Sequence, residues 1–122
     1  TWAGLAKVGA TSALINTNLT GRALEHAIDT ADAKHLIVGS ELLPLLATVD
    51  DASKWQVWVA NDPAGDPVSS PAGARDLVDD LASRPSANPP ASARAGAGAG
   101  DDLFYIYTSG TTGTQACAAG QW

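Results

Sequence analysis

The feature that most constrains the fold is the alternation of short apolar runs with amphipathic segments of helical period. "HLIVG", from His35 to Gly39, is a compact apolar run flanked by polar residues, which is typical of a parallel strand covered on both faces. An amphipathic helix precedes it, with Thr20 predicted as its N-cap. Its apolar stripe at i, i+3, i+4 and i+7 consists of Leu24, Ala27, Ile28 and Ala31.

The same alternation extends over the rest of the chain. Further strands are predicted at "TSALINT", at "WQVWVA" from Trp55 to Ala60, and at "LFYIY". Further helices are predicted at "TWAGLAKVGA", at "ELLPLLATV" after a Ser40 cap, and at "ARDLVDDLASR". Strands that alternate with helices form βαβ units with right-handed crossovers. The predicted fold class is therefore α/β, a partial parallel sheet of about four strands with flanking helices.

Two stretches lack the pattern of a packed element. "NDPAGDPVSSPAG" contains the Asn, Asp, Pro and Gly clusters of consecutive turns. Residues 83–102 contain no large apolar side chain, so they cannot contribute to a core and are predicted to form a flexible loop. Because the strand "LFYIY" follows this loop and needs neighbours, the loop is not interpreted as a domain boundary.

Charge and cysteine content exclude some classes of partner. The formal net charge of -6, with only seven basic residues, argues against binding to nucleic acid or to an anionic membrane surface. The one cysteine cannot form an internal disulfide, and no signal peptide or apolar run of about 18 residues is present. A reducing cytoplasmic setting is the expected compartment.

The strongest chemical signal is "TSGTTG", Thr108 to Gly113, directly after a predicted buried strand. Its two glycines permit positive φ, so successive backbone N–H groups can converge on an anion, and its hydroxyls add further donors. The string is neither a Walker A loop nor a G-x-G-x-x-G dinucleotide motif. On physical grounds alone it fits either a phosphate-binding loop or an ordinary polar turn.

The string "YIYTSGTTG" resembles the phosphate-loop signature of adenylate-forming, AMP-binding enzymes. The upstream stretch "LAKVGATSALINTNLTGRALEHAIDTADAKHLIVGSEL" is similar to one branch of them, the fatty acid transport protein or very-long-chain acyl-CoA synthetase family. The segment "INTNL" and the helix with Leu24 and His26 favour this branch over others. The resemblance covers the chain up to Gly113 and implies part of the large N-terminal domain of such enzymes.

What the resemblance implies is an ATP-dependent fatty acid:CoA ligase, linked to fatty acid uptake. The substrates would be a long-chain or very-long-chain fatty acid, Mg-ATP and coenzyme A, joined through an acyl adenylate. The residues implied to bind the ATP phosphates are Thr108, Ser109, Gly110, Thr111, Thr112 and Gly113. The implied location is the cytoplasm or the cytoplasmic face of a membrane, with peripheral membrane association.

The chain departs from the family's pattern directly after Gly113. The family continues with an apolar residue, Pro-Lys and small residues, whereas this chain continues with Thr114, Gln115, Ala116 and Cys117. The loop lysine is therefore missing, and no catalytic residue is assigned. We interpret the chain as a fragment that begins inside a helical pattern, with an atypical tail at 114–122 that a shifted reading frame would explain. A second hypothesis is a non-catalytic remnant or small α/β module that binds an anion or nucleotide weakly at most.

Other polar and aromatic residues are predicted to be structural. His26 and His35 have no second ligand at metal spacing, and the adjacent aspartates fit caps and loop ends. Trp55 and Trp58, three apart in a strand, are expected on opposite faces of a covered sheet. Cys117 lacks a neighbouring base and is not interpreted as a nucleophile. Such a partial sheet leaves open edges, so we expect aggregation or pairing with another copy.

Overall fold

The computed structural model describes residues 1–61, 70–108 and 116–121. The chain divides into two compact units. Unit 1 consists of Thr1–Asn16 and Ser86–Trp122, and unit 2 of Thr17–Pro85. Each combines at least one α-helix with a three-stranded sheet that contains at least one parallel strand pair, so the α/β fold class is confirmed.

Unit 1 is built around its longest strand. Its elements are α1 (Trp2–Ala6), β1 (Ser12–Leu14), β5 (Asp102–Thr108) and β6 (Ala116–Gln121). The strand order is β1-β5-β6, with β1 parallel to β5 and β6 antiparallel to it. The loop that runs from unit 2 to β5 contains a short 3-10 turn at Ala91–Arg94, within unit 1.

Unit 2 forms a second sheet with its own helices. Its helices are α2 (Gly21–Thr30), α3 (Leu43–Leu46) and α4 (Leu77–Ala82). Its strands are β2 (His35–Gly39), β3 (Gln56–Ala60) and β4 (Arg75–Asp76), in the order β2-β3-β4 with both pairs parallel. The helix α2 matches the stripe predicted from sequence, and Ile28 of that stripe is 1% exposed.

The core of unit 2 lies between its helices and one face of β3. Along β3 the burial alternates, and Val57 and Val59 are the buried positions. Alternation along a central strand places successive side chains on opposite faces of the sheet. The buried cluster consists of Ile28, Leu43, Leu46, Trp55, Val57 and Val59.

The sheet arrangement differs from the single sheet of about four strands predicted from sequence. The strands belong to two sheets, and β4 and β6 were not predicted. β4 is only two residues long and pairs with Trp58 and Val59, so it carries no periodic signal. It also delays the start of α4, which begins at Leu77 rather than at the start of "ARDLVDDLASR".

The helix predicted after Ser40 is also shorter than expected. Ser40 is the first residue of a 3-10 turn, Ser40–Leu42, and is buried, whereas Gly39 occupies the N-cap position. The helix α3 follows, with Pro44 in its first turn. Proline has no N–H to donate to the carbonyl four residues earlier, which prevents a continuous helix from Glu41 onward. The prediction that Ser40 caps one long helix was therefore wrong.

The segment after Gly113, which shows no pattern in sequence, contains the strand β6. Its sequence "ACAAGQ" has neither β-branched residues nor a period-2 alternation. The strand is instead defined by backbone pairing with β5, from Thr108↔Ala116 to Asp102↔Gln121. Cys117 therefore lies within a strand, opposite Tyr107.

Candidate phosphate-binding hairpin

The predicted phosphate loop belongs to the connection of a β-hairpin. β5 runs to Thr108, and β6 begins at Ala116, its direct cross-strand partner. The connection is residues 109–115, and its two ends are joined by this backbone pairing. A hairpin holds the ends of its loop at a fixed separation.

The predicted site residues divide between the described and the undescribed parts of the chain. Thr108 is the last residue of β5. Ser109, Gly110, Thr111, Thr112 and Gly113 lie outside the described residues. Their assignment to the ATP phosphates therefore stays a prediction.

The strand that precedes the loop is fixed along its length. Parallel pairing with β1 joins Ser12 to Phe104 and Leu14 to Ile106. The Phe104 ring packs edge-on against Trp2 of α1, with the ring centroids 6.3 Å apart. At its start, the carbonyl of Asp102 accepts a hydrogen bond of 2.8 Å from the Thr11 hydroxyl. These contacts support a rigid base for the hairpin.

A polar depression of about 440 Å³ lies elsewhere in unit 1. It is lined by the turn after α1 and by residues before and at the start of β5, including Thr11, Arg94, Asp101 and Asp102. Arg94 and the two aspartates carry opposite charges, and Asp101 accepts a bond of 2.7 Å from the Gly98 N–H. No role for Arg94 was predicted from sequence, because Arg94 lies in a stretch without hydrophobic periodicity.

The ionisable groups with shifted pKa values have structural partners. Hydrogen bonds from the hydroxyl and N–H of Ser53 lower the pKa of Asp51, which caps a 3-10 turn. A hydrogen bond with Glu25, at 2.6 Å, is the main cause that raises the pKa of Lys54. Both groups are exposed, so we expect these contacts to contribute little to stability.

Asp76 has a distinct role as the N-cap of α4. Its carboxylate accepts the N–H groups of Asp79 at 3.0 Å and Val78 at 2.8 Å, and Asn61 also donates to it. These bonds, that of Asp79 first, lower the pKa of Asp76. Asp76 therefore caps a helix. Of the adjacent aspartates predicted to form caps or loop ends, Asp51 caps the 3-10 turn Ala52–Lys54.

His35 and Trp58 form a cluster on the open face of the unit 2 sheet. Trp58 Nε1 donates to His35 Nδ1 at 3.3 Å, and the Arg75 guanidinium lies 4.4 Å from the Trp58 ring centroid. Arg75 also pairs with Asp80 at 2.7 Å. Trp55, by contrast, is buried in the core on the other side, as its spacing from Trp58 predicts. Arg75 was missed because β4 gives no sequence signal.

The described residues contain neither a metal-binding cluster nor a membrane-spanning helix. Across 1–61, 70–108 and 116–121, no group of three or more His, Cys, Asp or Glu side chains could hold a metal ion. Among the same residues, no helix has the length and apolar character needed to cross a membrane.

A comparison with protein families gives the decisive observation. The family model described as AMP-binding enzyme matches residues 1–118, which include α1, β5 and the whole "TSGTTG" string. The chain belongs to the AMP-binding enzyme family. The match extends through the hairpin loop into β6, so the candidate site lies inside the family's region of similarity.

Curated relatives agree with this assignment. The chain is 37% identical over 117 residues to "Long-chain fatty acid transport protein 1" of Rattus norvegicus and of Homo sapiens. It is 38% identical over 118 residues to the protein of that name from Bos taurus. Each alignment covers 96% of this chain and 18% of the relative's length. No solved structure matches the chain significantly.

Proposed function

We propose that this chain supplies the phosphate-binding hairpin of an ATP-dependent fatty acid:CoA ligase. The observation that carries the proposal is the AMP-binding family match, which spans "TSGTTG". Similarity to long-chain fatty acid transport proteins supports a long-chain fatty acid as the acyl substrate. Coenzyme A as acceptor, the cytoplasm or the cytoplasmic face of a membrane, and peripheral membrane association belong to the same proposal.

The reaction proposed for the whole enzyme has two displacement steps. The fatty acid carboxylate attacks the α-phosphorus of ATP, forming a C–O–P link while the bond to the β-phosphate breaks and pyrophosphate leaves. The sulfur of coenzyme A then attacks the acyl carbon, forming the thioester and releasing AMP and the thiol proton. Magnesium enters with ATP as part of the substrate.

The role proposed for the loop follows from where charge moves in the first step. Negative charge accumulates on the leaving pyrophosphate, and N–H and hydroxyl donors positioned at that place lower the barrier. The hairpin supports this role, because its loop ends are joined at Thr108 and Ala116. The family has an apolar residue, Pro and Lys after the second glycine of the loop. Matched in that order, Ala116 stands at the position of the lysine. A cation there would lie beside the loop that is proposed to bind the phosphates.

Calorimetric titration of the purified chain with Mg-ATP tests the loop. We expect weak binding that is lost in Gly110→Val and Thr111→Ala. Thr30→Ala is the matched control, because the Thr30 hydroxyl bonds to the His26 carbonyl in α2 and should not affect binding. Ala116→Lys should tighten binding about tenfold, the size expected for one added charge-assisted hydrogen bond. Equal affinity in the wild type and both loop variants would refute the loop assignment.

The missing lysine favours a second candidate function, in which the chain is a non-catalytic module that binds anions weakly. The two candidates differ in the first chemical step. With Thr114, Gln115 and Ala116 after the loop, we expect no acyl adenylate from the chain, a long-chain fatty acid and Mg-ATP. Turnover with fatty acid, ATP and coenzyme A would show that the chain is catalytic without that lysine.

A further inference from the structure

β2 is an edge strand of the unit 2 sheet. In the order β2-β3-β4, β2 pairs on one side with β3, and no other strand of the described residues pairs with it. Its residues, "HLIVG", contain no proline, lysine or acidic side chain. Natural proteins usually protect such edges with charges, prolines or bulges, because unpaired N–H and C=O groups are a template for another strand.

The two faces of β2 differ in burial. Leu36 and Val38 are half-buried and pack against the unit 2 core, whereas His35 and Ile37 lie on the other face and are exposed. Ile37 is 37% exposed and pairs with Trp58 of β3. The edge strand therefore has an exposed apolar residue, Ile37, at its centre. Ile37 lies on the face of the sheet opposite the unit 2 core.

The two ends of this exposed face carry complementary groups. At one end is Gly39, which has no side chain. The Glu41 carboxylate occupies the space that a Cβ at position 39 would take. At the other end, His35 Nδ1 accepts the Trp58 N–H, which leaves Nε2 as the protonated nitrogen of the neutral ring. His35 thus has a donor available, and Glu41 an acceptor.

We propose that β2 is the interface of a homodimer, in which it pairs antiparallel with β2 of a second copy. The register is centred on Ile37, so Ile37 faces its counterpart and Leu36 lies opposite Val38 of the partner subunit. Directly opposite residues in an antiparallel pair point to the same face of the sheet. Both core faces therefore stay on one side, and the two sheets become one continuous sheet.

The pairing of a hydrogen-bond donor with a carboxylate favours a second copy as the occupant of this edge. In the proposed register His35 lies opposite Gly39 of the partner subunit, where that subunit's Glu41 carboxylate is. Opposite side chains have Cβ atoms about 4.5 to 5.5 Å apart, which is within reach of a hydrogen bond between their ends. The twofold axis repeats this contact, so the edge is complementary to itself. The short interface predicts a weak dimer that forms only in concentrated protein.

Sedimentation velocity over a concentration series tests the proposal. We expect the weight-average sedimentation coefficient of the wild type to rise with concentration, and Ile37→Lys to abolish the rise because it places a charge on the edge. The control is Leu81→Lys, whose side chain is 59% exposed on α4, a helix that contacts β3 and β4. A rise retained in Ile37→Lys, or lost equally in Leu81→Lys, would overturn the proposed interface.

A charge exchange tests the register. His35→Glu and Glu41→Lys should each weaken dimerisation at least tenfold, because the first pairs two carboxylates and the second pairs a lysine with a histidine. The double variant should restore association to within a few-fold of the wild type. Independent effects, without restoration, would contradict the contact between His35 and Glu41.

A disulfide tests which residue lies on the twofold axis. Cys117 is the sole cysteine, so Cys117→Ser gives a thiol-free background. In that background Ile37→Cys should form an intermolecular disulfide on mild oxidation. In the proposed register, residue 37 of one copy lies opposite residue 37 of the other, which brings the two Cβ atoms close. Leu81→Cys is the control and should remain reduced. Equal crosslinking of both variants would indicate random collision and refute the register.

Discussion

The replacement of Ile28 by alanine should be among the most destabilising single changes in unit 2. Ile28 is 1% exposed and packs in the cluster with Val59 and Leu46, which are 0% and 3% exposed. Alanine removes three carbons, about 2.4 kcal/mol at about 0.8 kcal/mol per buried methylene. The cavity left in a fully enclosed site adds to this loss, giving about 4 kcal/mol in total.

Urea unfolding followed by tryptophan fluorescence measures this loss, since Trp55 belongs to the same cluster. Ile37→Ala, in dilute protein, is the matched control, because it removes the same atoms from a side chain that is 37% exposed. An open site leaves no enclosed cavity, so the control should lose about 1.5 kcal/mol or less. If Ile28→Ala costs no more than Ile37→Ala, the proposed core is wrong.

Three further predictions concern single side chains. Hydrogen bonds lower the pKa of Asp76 below 3.8, so the stability it contributes is full above the unfolded value and is lost as pH falls. The difference in thermal midpoint between wild type and Asp76→Ala should therefore disappear in acid. The pKa of Lys54 is raised above 10.5, chiefly by Glu25, so its contribution is full below that value and is lost as pH rises further. Lys54→Met should accordingly be at most slightly less stable than the wild type at neutral pH and should match it in strong alkali. A difference in thermal midpoint that widens as pH rises would contradict this. Gly9 has φ +73°, and an added Cβ would meet Ala97 at 3.4 Å, so Gly9→Ala should destabilise unit 1 by about 1 kcal/mol in urea. Gly4→Ala, where a Cβ meets nothing within 4 Å, should not.

The elements predicted correctly from sequence are those with a side-chain pattern. The helix α2 has an apolar stripe over its whole length, and Ile28 on that stripe is buried. The strand "HLIVG" coincides with β2, because a short run of β-prone apolar residues bounded by polar ones has few alternatives.

The elements that sequence did not predict depend on pairing rather than on pattern. β4 is defined by its partners Trp58 and Val59, and β6 by its register with β5. A small-residue strand such as "ACAAGQ" has no intrinsic preference that distinguishes it from a coil. The division into two sheets likewise depends on which edges meet, which local periodicity does not encode.

The candidate site was found from sequence because its chemistry resides in the local string "TSGTTG", which does not require long-range contacts to be seen. The hairpin that joins the two ends of the loop was not predicted. Its closing pair, Thr108↔Ala116, requires the strand β6, which has no pattern in sequence. The cluster of Trp58, His35 and Arg75 was also not predicted. Its members lie on three different strands, and only strand pairing brings them together.

The central claim is that the loop beginning at Thr108 binds phosphate. The most direct measurement is a backbone amide NMR titration of the assigned chain with Mg-ATP, magnesium pyrophosphate and adenosine. We expect Mg-ATP and pyrophosphate to shift the amide signals of residues 109–113, and adenosine to leave them unchanged. Shifts confined to other residues, or equal shifts with adenosine, would contradict it.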